Sequence, residues 1–303
     1  MRSIFTCLTI CSVLLTSCER DMDIVVKANK PQLVVEAYIN NELPNFTYVS
    51  LSRSQDYFAP SLQALPVTGA IVTITEGSLR PDNSYEWNKA TTVQLRETRV
   101  PSLANIYLPG VYFDTNLVSN PQKALKGTPG KHYLLEIETA GKRYAAITAM
   151  LQPIPVDSVT SGNHFVDDDD TIVQTKARIT VHYKDPDSVG NTQLHFWQDN
   201  ESHLNFGWGG MGTNRFVAGT DDLVNGEYIR LTHYNGFVLG DTVRYYMAAI
   251  ERKVYNFWDT FNKARNNEGP FATPVTLQST IGGEDVIGCF SGFSISTKTI
   301  IVK

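Results

Sequence analysis

From Gln32 onward, apolar and polar positions alternate in short runs separated by turn residues. Leu33–Ile39 is rich in β-branched and aromatic residues and is ended by Asn40-Asn41 and Pro44. Tyr48–Arg53 alternates with period two, as a strand with one buried face does. Ala70–Thr75 reads as a third strand closed by a Glu76-Gly77-Ser78 turn, and Val93–Leu95, Gly110–Phe113 and His132–Glu138 follow. Ala140-Gly141-Lys142 predicts a hairpin turn into Tyr144–Ala149. Strands of this length and spacing predict a β-sandwich over residues 31–151, with no long helix.

Gln152-Pro153-Ile154-Pro155 is the expected domain boundary, because its two prolines stiffen the chain and cannot donate to a central sheet. Ala177–Tyr183, Gln193–Trp197 and Asp241–Ile250 then predict a second β region over residues 152–303. Here the period changes once. Val254, Phe257, Trp258, Phe261 and Ala264 recur at steps of three and four, which lays one apolar stripe along a helix over 251–266. Asn266-Asn267 and Gly269-Pro270 stop it. The expected fold class is all-β: two tandem β-sandwich domains with one amphipathic helix in the second, packed on a sheet face or sandwich end.

The N-terminus follows a different pattern. Arg2 precedes the apolar run Ile4–Leu15, which is too short to span a bilayer, and Leu15-Thr16-Ser17-Cys18 closes it. A small residue before a cysteine marks a lipoprotein signal-peptidase site. The expectation is a signal peptide over 1–17 and an acylated Cys18, for example through palmitate. An ordinary secretory signal with an incidental Cys18 is the alternative. Glu19-Arg20-Asp21-Met22-Asp23 opens an acidic tether over 18–30. No later apolar run reaches the roughly 20 residues of a membrane helix, so the lipid is the expected anchor.

The full chain of 303 residues carries 26 basic and 31 acidic side chains. Loss of residues 1–17 takes Arg2 away and leaves 25 basic against 31 acidic, a formal charge of −6. That excludes a strong non-specific nucleic-acid binder, which needs a basic face. Cys7 and Cys11 leave with the signal and Cys18 is capped, so Cys289 is the one remaining thiol and no intrachain disulfide is possible. It lies in an apolar, strand-like segment, Val286–Phe290, which suits a buried small hydrophobe better than a nucleophile.

Signatures of catalysis are missing. His132, His164, His182, His195, His203 and His233 form no His-Glu-x-x-His, no Cys-x-x-Cys exists, and neither a Gly-x-Ser-x-Gly elbow nor a phosphate-cradling glycine loop occurs. No cofactor is expected, and a hydrolase with its site spread over strand ends is the least supported reading. Asp167-Asp168-Asp169-Asp170 offers hard oxygen ligands for calcium. The spaced Asp-x-Asp-x-Asp-Gly pattern is absent, however, and a solvated, self-repelling loop accounts for the run better. Phe206-Gly207-Trp208-Gly209-Gly210-Met211-Gly212 sets Phe206, Trp208 and Met211 in a glycine-rich stretch. Either these side chains contact a partner or ligand, or Trp208 tucks into the core beside a bulged edge.

The C-terminal Tyr255-Asn256-Phe257-Trp258, Gly269–Pro274, Gly288-Cys289-Phe290-Ser291 and Lys298–Val302 resemble the end of Bacteroidota outer-membrane lipoproteins of domain-of-unknown-function family 4249. Leu33–Ile39, Leu51–Phe58, Val67–Val72, Gly110-Val111-Tyr112 and Tyr183-Lys184-Asp185-Pro186 extend the resemblance over nearly the whole mature chain. Cys289 departs from it, since the family often carries tyrosine there. The resemblance implies no catalytic residues. It implies a first sandwich similar to transthyretin or immunoglobulin domains, a second similar to fibronectin domains, and companionship with a TonB-dependent transporter. The acidic residues after Cys18 resemble the export signal that sends such proteins to the outer face of the outer membrane. The expected function is a non-enzymatic cell-surface lipoprotein, accessory to that transporter in substrate capture or gating. The alternative is a stand-alone glycan- or peptide-binding lipoprotein using aromatics such as Trp87, Trp197 and Trp208.

Overall fold

In the computed structural model, residues 30–55, 65–97, 107–167, 174–200, 217–265, 267, 273 and 275–303 are described. The first half contains β1 (Leu33–Asn40), β2 (Tyr48–Arg53), β3 (Leu65–Pro66), β4 (Ile71–Leu79), β5 (Tyr85–Trp87), β6 (Val93–Leu95), β7 (Val111–Phe113) and a four-residue helix α1 (Asn116–Ser119). The hairpin β8 (His132–Thr139) and β9 (Lys142–Ala149) ends it. The second half contains β10 (Ser158–Asp167), β11 (Gln174–Lys184), β12 (Thr192–Gln198), β13 (Val217–Thr220), β14 (Tyr228–Val238) and β15 (Thr242–Ile250). Helix α2 (Arg252–Arg265) and β16 (Val286–Ile301) complete the chain.

These strands build three sheets. An eight-stranded sheet runs β13-β12-β15-β16-β1-β2-β3, with β7 also on β2. A five-stranded sheet runs β5-β4-β8-β9 with β6 on β4, and a three-stranded sheet runs β10-β11-β14. The fold is all-β with sandwich layers, as the alternating pattern predicts.

Strand β16 joins the layers by changing partner midway. Its first half lies parallel to β1, from Leu33↔Val286 to Asn40↔Phe293. Its second half lies antiparallel to β15, from Ala249↔Ser294 to Thr242↔Ile301. Side chains alternate across the resulting sheet. On one face, Leu33, Val35, Ala37, Ile39 and Phe290 pack with Val72, Ile74, Leu135 and Ile137 of the five-stranded sheet. Further along that face, Tyr245, Met247 and Ala249 pack with Ala177, Ile179 and Val181 of the three-stranded sheet. The expected division at Gln152–Pro155 does run between β9 and β10. The eight-stranded sheet, however, takes strands from both sides of it, and Pro31–Lys303 form one unit.

Helix α2 covers the opposite face. Val254, Phe257 and Trp258 are buried against Tyr38, Leu194, Phe196, Tyr246, Cys289 and Phe293, so the apolar stripe read from the sequence is the packed one. Trp258 lies parallel to the Tyr38 ring with centroids 6.3 Å apart, and its Nε1 donates to Ser291 Oγ at 3.3 Å. The start of the helix is stitched to the first half of the chain. Glu251 Oε2 accepts from Ala149 N at 2.8 Å and Thr148 Oγ1 at 3.1 Å, and Lys253 Nζ donates to Ile147 O at 2.8 Å. Trp258→Ala is expected to cost about 3–5 kcal/mol, the range for emptying a large aromatic site, read as a fall in the urea midpoint. Trp258→Phe should cost clearly less.

Two sequence readings change. Glu76-Gly77-Ser78 is not a turn but the interior of β4, because Gly77 seats the Trp87 ring of the neighbouring strand: a Cβ there would lie 2.3 Å from Trp87 Cε3. Strands β10 and β14 also form where no strand was expected; β14 opens on Tyr228-Ile229-Arg230-Leu231, which alternates but is interrupted by Asn235-Gly236.

Candidate functional site

Of the residues singled out from the sequence, Cys18, Phe206, Trp208, Met211 and Asp168–Asp170 lie outside the described residues, as does His203. Asp167 is the last residue of β10. Trp197 is not available to a ligand: it is buried at 3 % exposure, with Phe237 edge-on at 5.9 Å and His233 at 4.8 Å between ring centroids. It lies on the inward parity of β12, facing the three-stranded sheet. Trp87 is half-buried, with Tyr85 stacked on it at 5.1 Å and His132 edge-on to Tyr85 at 5.3 Å.

The strongest candidate site is built on β1 and β2. Positions Val34, Glu36 and Tyr38 share the face of β1 turned away from the first core, opposite Ser52, Ser50 and Tyr48 of β2. Glu36 is a buried carboxylate. It accepts from Tyr38 Oη at 2.8 Å and Tyr48 Oη at 3.4 Å. Burial first, and then the charge of Glu36, holds both phenols well above their ordinary pKa, so both stay protonated and donate. An open cavity of about 630 Å³ lies over this patch, lined by Val34, Glu36, Ser50, Ser52, Arg53, Ser54, Pro66 and Pro109 among others. It combines apolar walls with a carboxylate, the Arg53 side chain and a row of serine hydroxyls, the mixture typical of small-molecule sites. Such a lining suits a ligand with N–H or O–H donors on an apolar body; a cationic amine would gain a charge-assisted bond to Glu36.

Glu36 is inconspicuous in the sequence because it sits inside an apolar run. Its signal is that it is the one charged residue of Leu33–Ile39, at the parity of Tyr38.

Next to this patch, Cys289 is opposite Glu36 in the parallel pair. It is buried, its Sγ lies 3.3 Å from Ser291 Oγ, and burial pushes its pKa up to about 11. The thiol stays protonated and packs as a small apolar group, as expected.

A second polar cluster lies in the other core. Tyr245 Oη contacts His195 Nδ1 at 2.7 Å and His233 Nε2 at 2.9 Å. Burial, with each ring close to the other, drives His195 down to about 3, and burial drives His233 down to about 4. Both rings are therefore neutral at physiological pH, and one phenol serves both: it donates to one nitrogen and accepts from the other. A further buried carboxylate explains Tyr183-Lys184-Asp185-Pro186. Asp185 accepts from Gln193 Nε2 at 3.0 Å and Gly226 N at 3.1 Å, tying the β11–β12 and β13–β14 connections together. Among the described residues, no group of three His, Cys, Asp or Glu side chains is arranged to hold a metal ion.

A layered all-β protein with a carboxylate-floored cavity is thus the class that fold and site define. The family model of a domain of unknown function, DUF4249, matches residues 19–299. The chain belongs to that family. No curated protein matches it.

Proposed function

We propose that this chain is a non-enzymatic, lipid-anchored surface protein that serves as accessory subunit to a TonB-dependent outer-membrane transporter, in substrate capture or gating. The observation that carries the anchor is the sequence Leu15-Thr16-Ser17-Cys18 behind Arg2 and its apolar run. Acylation at Cys18 places the layered sheets against the outer membrane, facing the exterior. The cavity over Glu36 supports the capture role, because it is preformed by strand residues whose positions the sheet fixes. Detergent pull-down of the native protein tests the reading: a co-eluting barrel in stoichiometric amount is expected, and none in repeated extractions would overturn it.

The same cavity favours a second reading, a stand-alone module that binds a glycan or peptide. Binding of the purified protein to ligand without any transporter separates the two. Glu36→Gln keeps an oxygen acceptor for both tyrosines and removes the charge. With amino-sugar oligomers as probe, it is expected to weaken binding about tenfold or more, and to leave N-acetylated oligomers nearly unaffected. Equal effects on both probes would remove Glu36 from the site.

A further inference from the structure

The three-stranded sheet carries its charge on one side. In β10, β11 and β14 the basic residues are Lys176, Arg178, Lys184 and Arg230, and the only carboxylate of these strands is Asp167 at the end of β10. Lys184 is paired with Asp187 beyond the strand, at 3.5 Å, so the cationic character of the face rests on Arg178 and Arg230 at its middle. The inward positions of β11, Ala177, Ile179, Val181 and Tyr183, are buried in the core. Alternation therefore puts Lys176, Arg178, Thr180, His182 and Lys184 on the outer face, paired with Val238, Gly236, Thr232, Arg230 and Tyr228. A cationic sheet face on a chain of formal charge −5 is a local reversal of sign.

The face is also organised. The Arg178 guanidinium carbon lies 5.0 Å from the centroid of the Phe165 ring and 5.0 Å from that of Tyr234, and its Nε donates to Tyr234 O at 3.2 Å. The Phe165 ring is seated on Gly236, where a Cβ would come within 2.3 Å of it. Thr180 and Thr232 Oγ1 atoms lie 2.8 Å apart, and His182 Nε2 lies 3.1 Å from Thr160 Oγ1. A guanidinium held between two rings loses little freedom when it meets an oxyanion, and its planar fork matches phosphate. Tyr234 is 86 % exposed and Tyr228 51 %. Phenols of this kind, apolar in body and polar at the tip, suit the boundary between water and lipid headgroups.

We infer that the outer face of β10–β11–β14 docks the protein onto a phosphate-bearing lipid surface. The choice of a lipid surface over other polyanions rests on the anchored reading of Cys18: a tethered protein meets headgroups at high local concentration. Charge complementarity and the tyrosines favour the same occupant. Cations close to an anionic membrane each strengthen binding several-fold and are screened by salt.

The test uses the full chain carrying Cys18→Ser, so that no acyl group contributes, with sedimentation on phosphatidylcholine vesicles with or without phosphatidylglycerol. Stronger binding to the phosphatidylglycerol vesicles is expected, falling as salt rises. Arg178→Glu with Arg230→Glu should reduce that gain at least about tenfold. Arg230→Glu alone, at an exposed position, should reduce it by several-fold with an unchanged melting temperature, which keeps the test valid if the double variant fails to fold. Equal binding to both vesicle types, or a gain that survives charge reversal, overturns the inference. So does binding to polyglutamate or single-stranded DNA without binding to the vesicles. Inorganic phosphate should not compete at concentrations that leave ionic strength unchanged; full competition would assign the site to free phosphate. Mass determination of the native protein reports on acylation separately, so failure of the anchor and failure of the face are distinguishable.

Discussion

Gly288→Ala is expected to unfold the first core and the second together. Gly288 adopts φ +152°, and a Cβ built there would lie 1.8 Å from the carbonyl oxygen of Val35 and 2.9 Å from its nitrogen. Those atoms belong to β1, the partner of Gly288 in the parallel pair. The clash is with main chain, so no side chain can turn aside, and the conformation is itself unfavourable for any residue with a Cβ. Relief requires β1 and β16 to separate. Because β16 continues from β1 to β15, separation at Gly288 removes the strand that both halves of the eight-stranded sheet share. The expected cost exceeds about 4 kcal/mol, a large part of the roughly 5–15 kcal/mol that stabilises a typical domain. Thermal or urea unfolding followed by near-ultraviolet circular dichroism should show loss of native signal at ordinary temperature. Gly282→Ala is the control: its Cβ would meet only Ala145 O, at 3.7 Å, and should leave the transition nearly in place. A Gly288→Ala protein that melts close to the parent would show that the two strands yield locally and that β16 does not couple the cores.

That coupling bears on the chain's division into parts. Residues 31–151 expressed alone would leave β1 without its parallel partner and expose Val35, Ala37 and Ile39 along a raw sheet edge. Parallel pairing between strands some 250 positions apart leaves no local signature. It has no turn, no matched spacing and no alternation beyond what each strand shows alone. For this reason Leu33–Ile39 and Val286–Phe290 read correctly as strands while their pairing, and the extension of β16 to Ile301, did not. The helix was legible to within a residue at each end because its apolar stripe is periodic and its cover, Tyr38 and Phe293, asks only for an apolar face. Polar features inside strands were the hardest to read. Glu36 and His195 each interrupt an apolar run by one residue, and only the tertiary structure supplies the hydroxyls that satisfy them. Trp197 misled for a related reason: alternation gives parity, but in a strand buried on both faces either parity is inside. Phe206, Trp208 and Met211, expected to contact a partner, lie outside the described residues.

Stability is expected to fall steeply as pH drops from about 6.5 toward about 4, through His195 and His233. Both titrate far below the ordinary 6.5 in the folded protein, at about 3 and about 4, because burial opposes the imidazolium form. The sign follows from proton uptake. In the unfolded chain each ring takes a proton near pH 6.5, whereas the folded chain holds both neutral until the pH nears their lowered values. Between these limits the unfolded state binds more protons, so unfolding becomes easier as pH falls, and the stabilisation is complete only above about 6.5. Each histidine contributes a limiting slope of about 1.4 kcal/mol per pH unit. From pH 6.5 to 5 the pair should therefore remove about 3–4 kcal/mol, before most carboxylates begin to protonate. Urea unfolding at a series of pH values above 5 measures this directly. The variant His195→Asn with His233→Asn should be less stable at neutral pH, since Tyr245 loses both ring partners, yet its stability should change far less with pH. Tyr245→Phe is the complementary case: it removes the shared hydroxyl, leaves both rings buried, and should keep the steep slope at a lower overall stability. A parent protein equally stable at pH 7 and 5, or a double variant with the parent's slope, would show that these two rings are not the neutral buried groups that their contacts require.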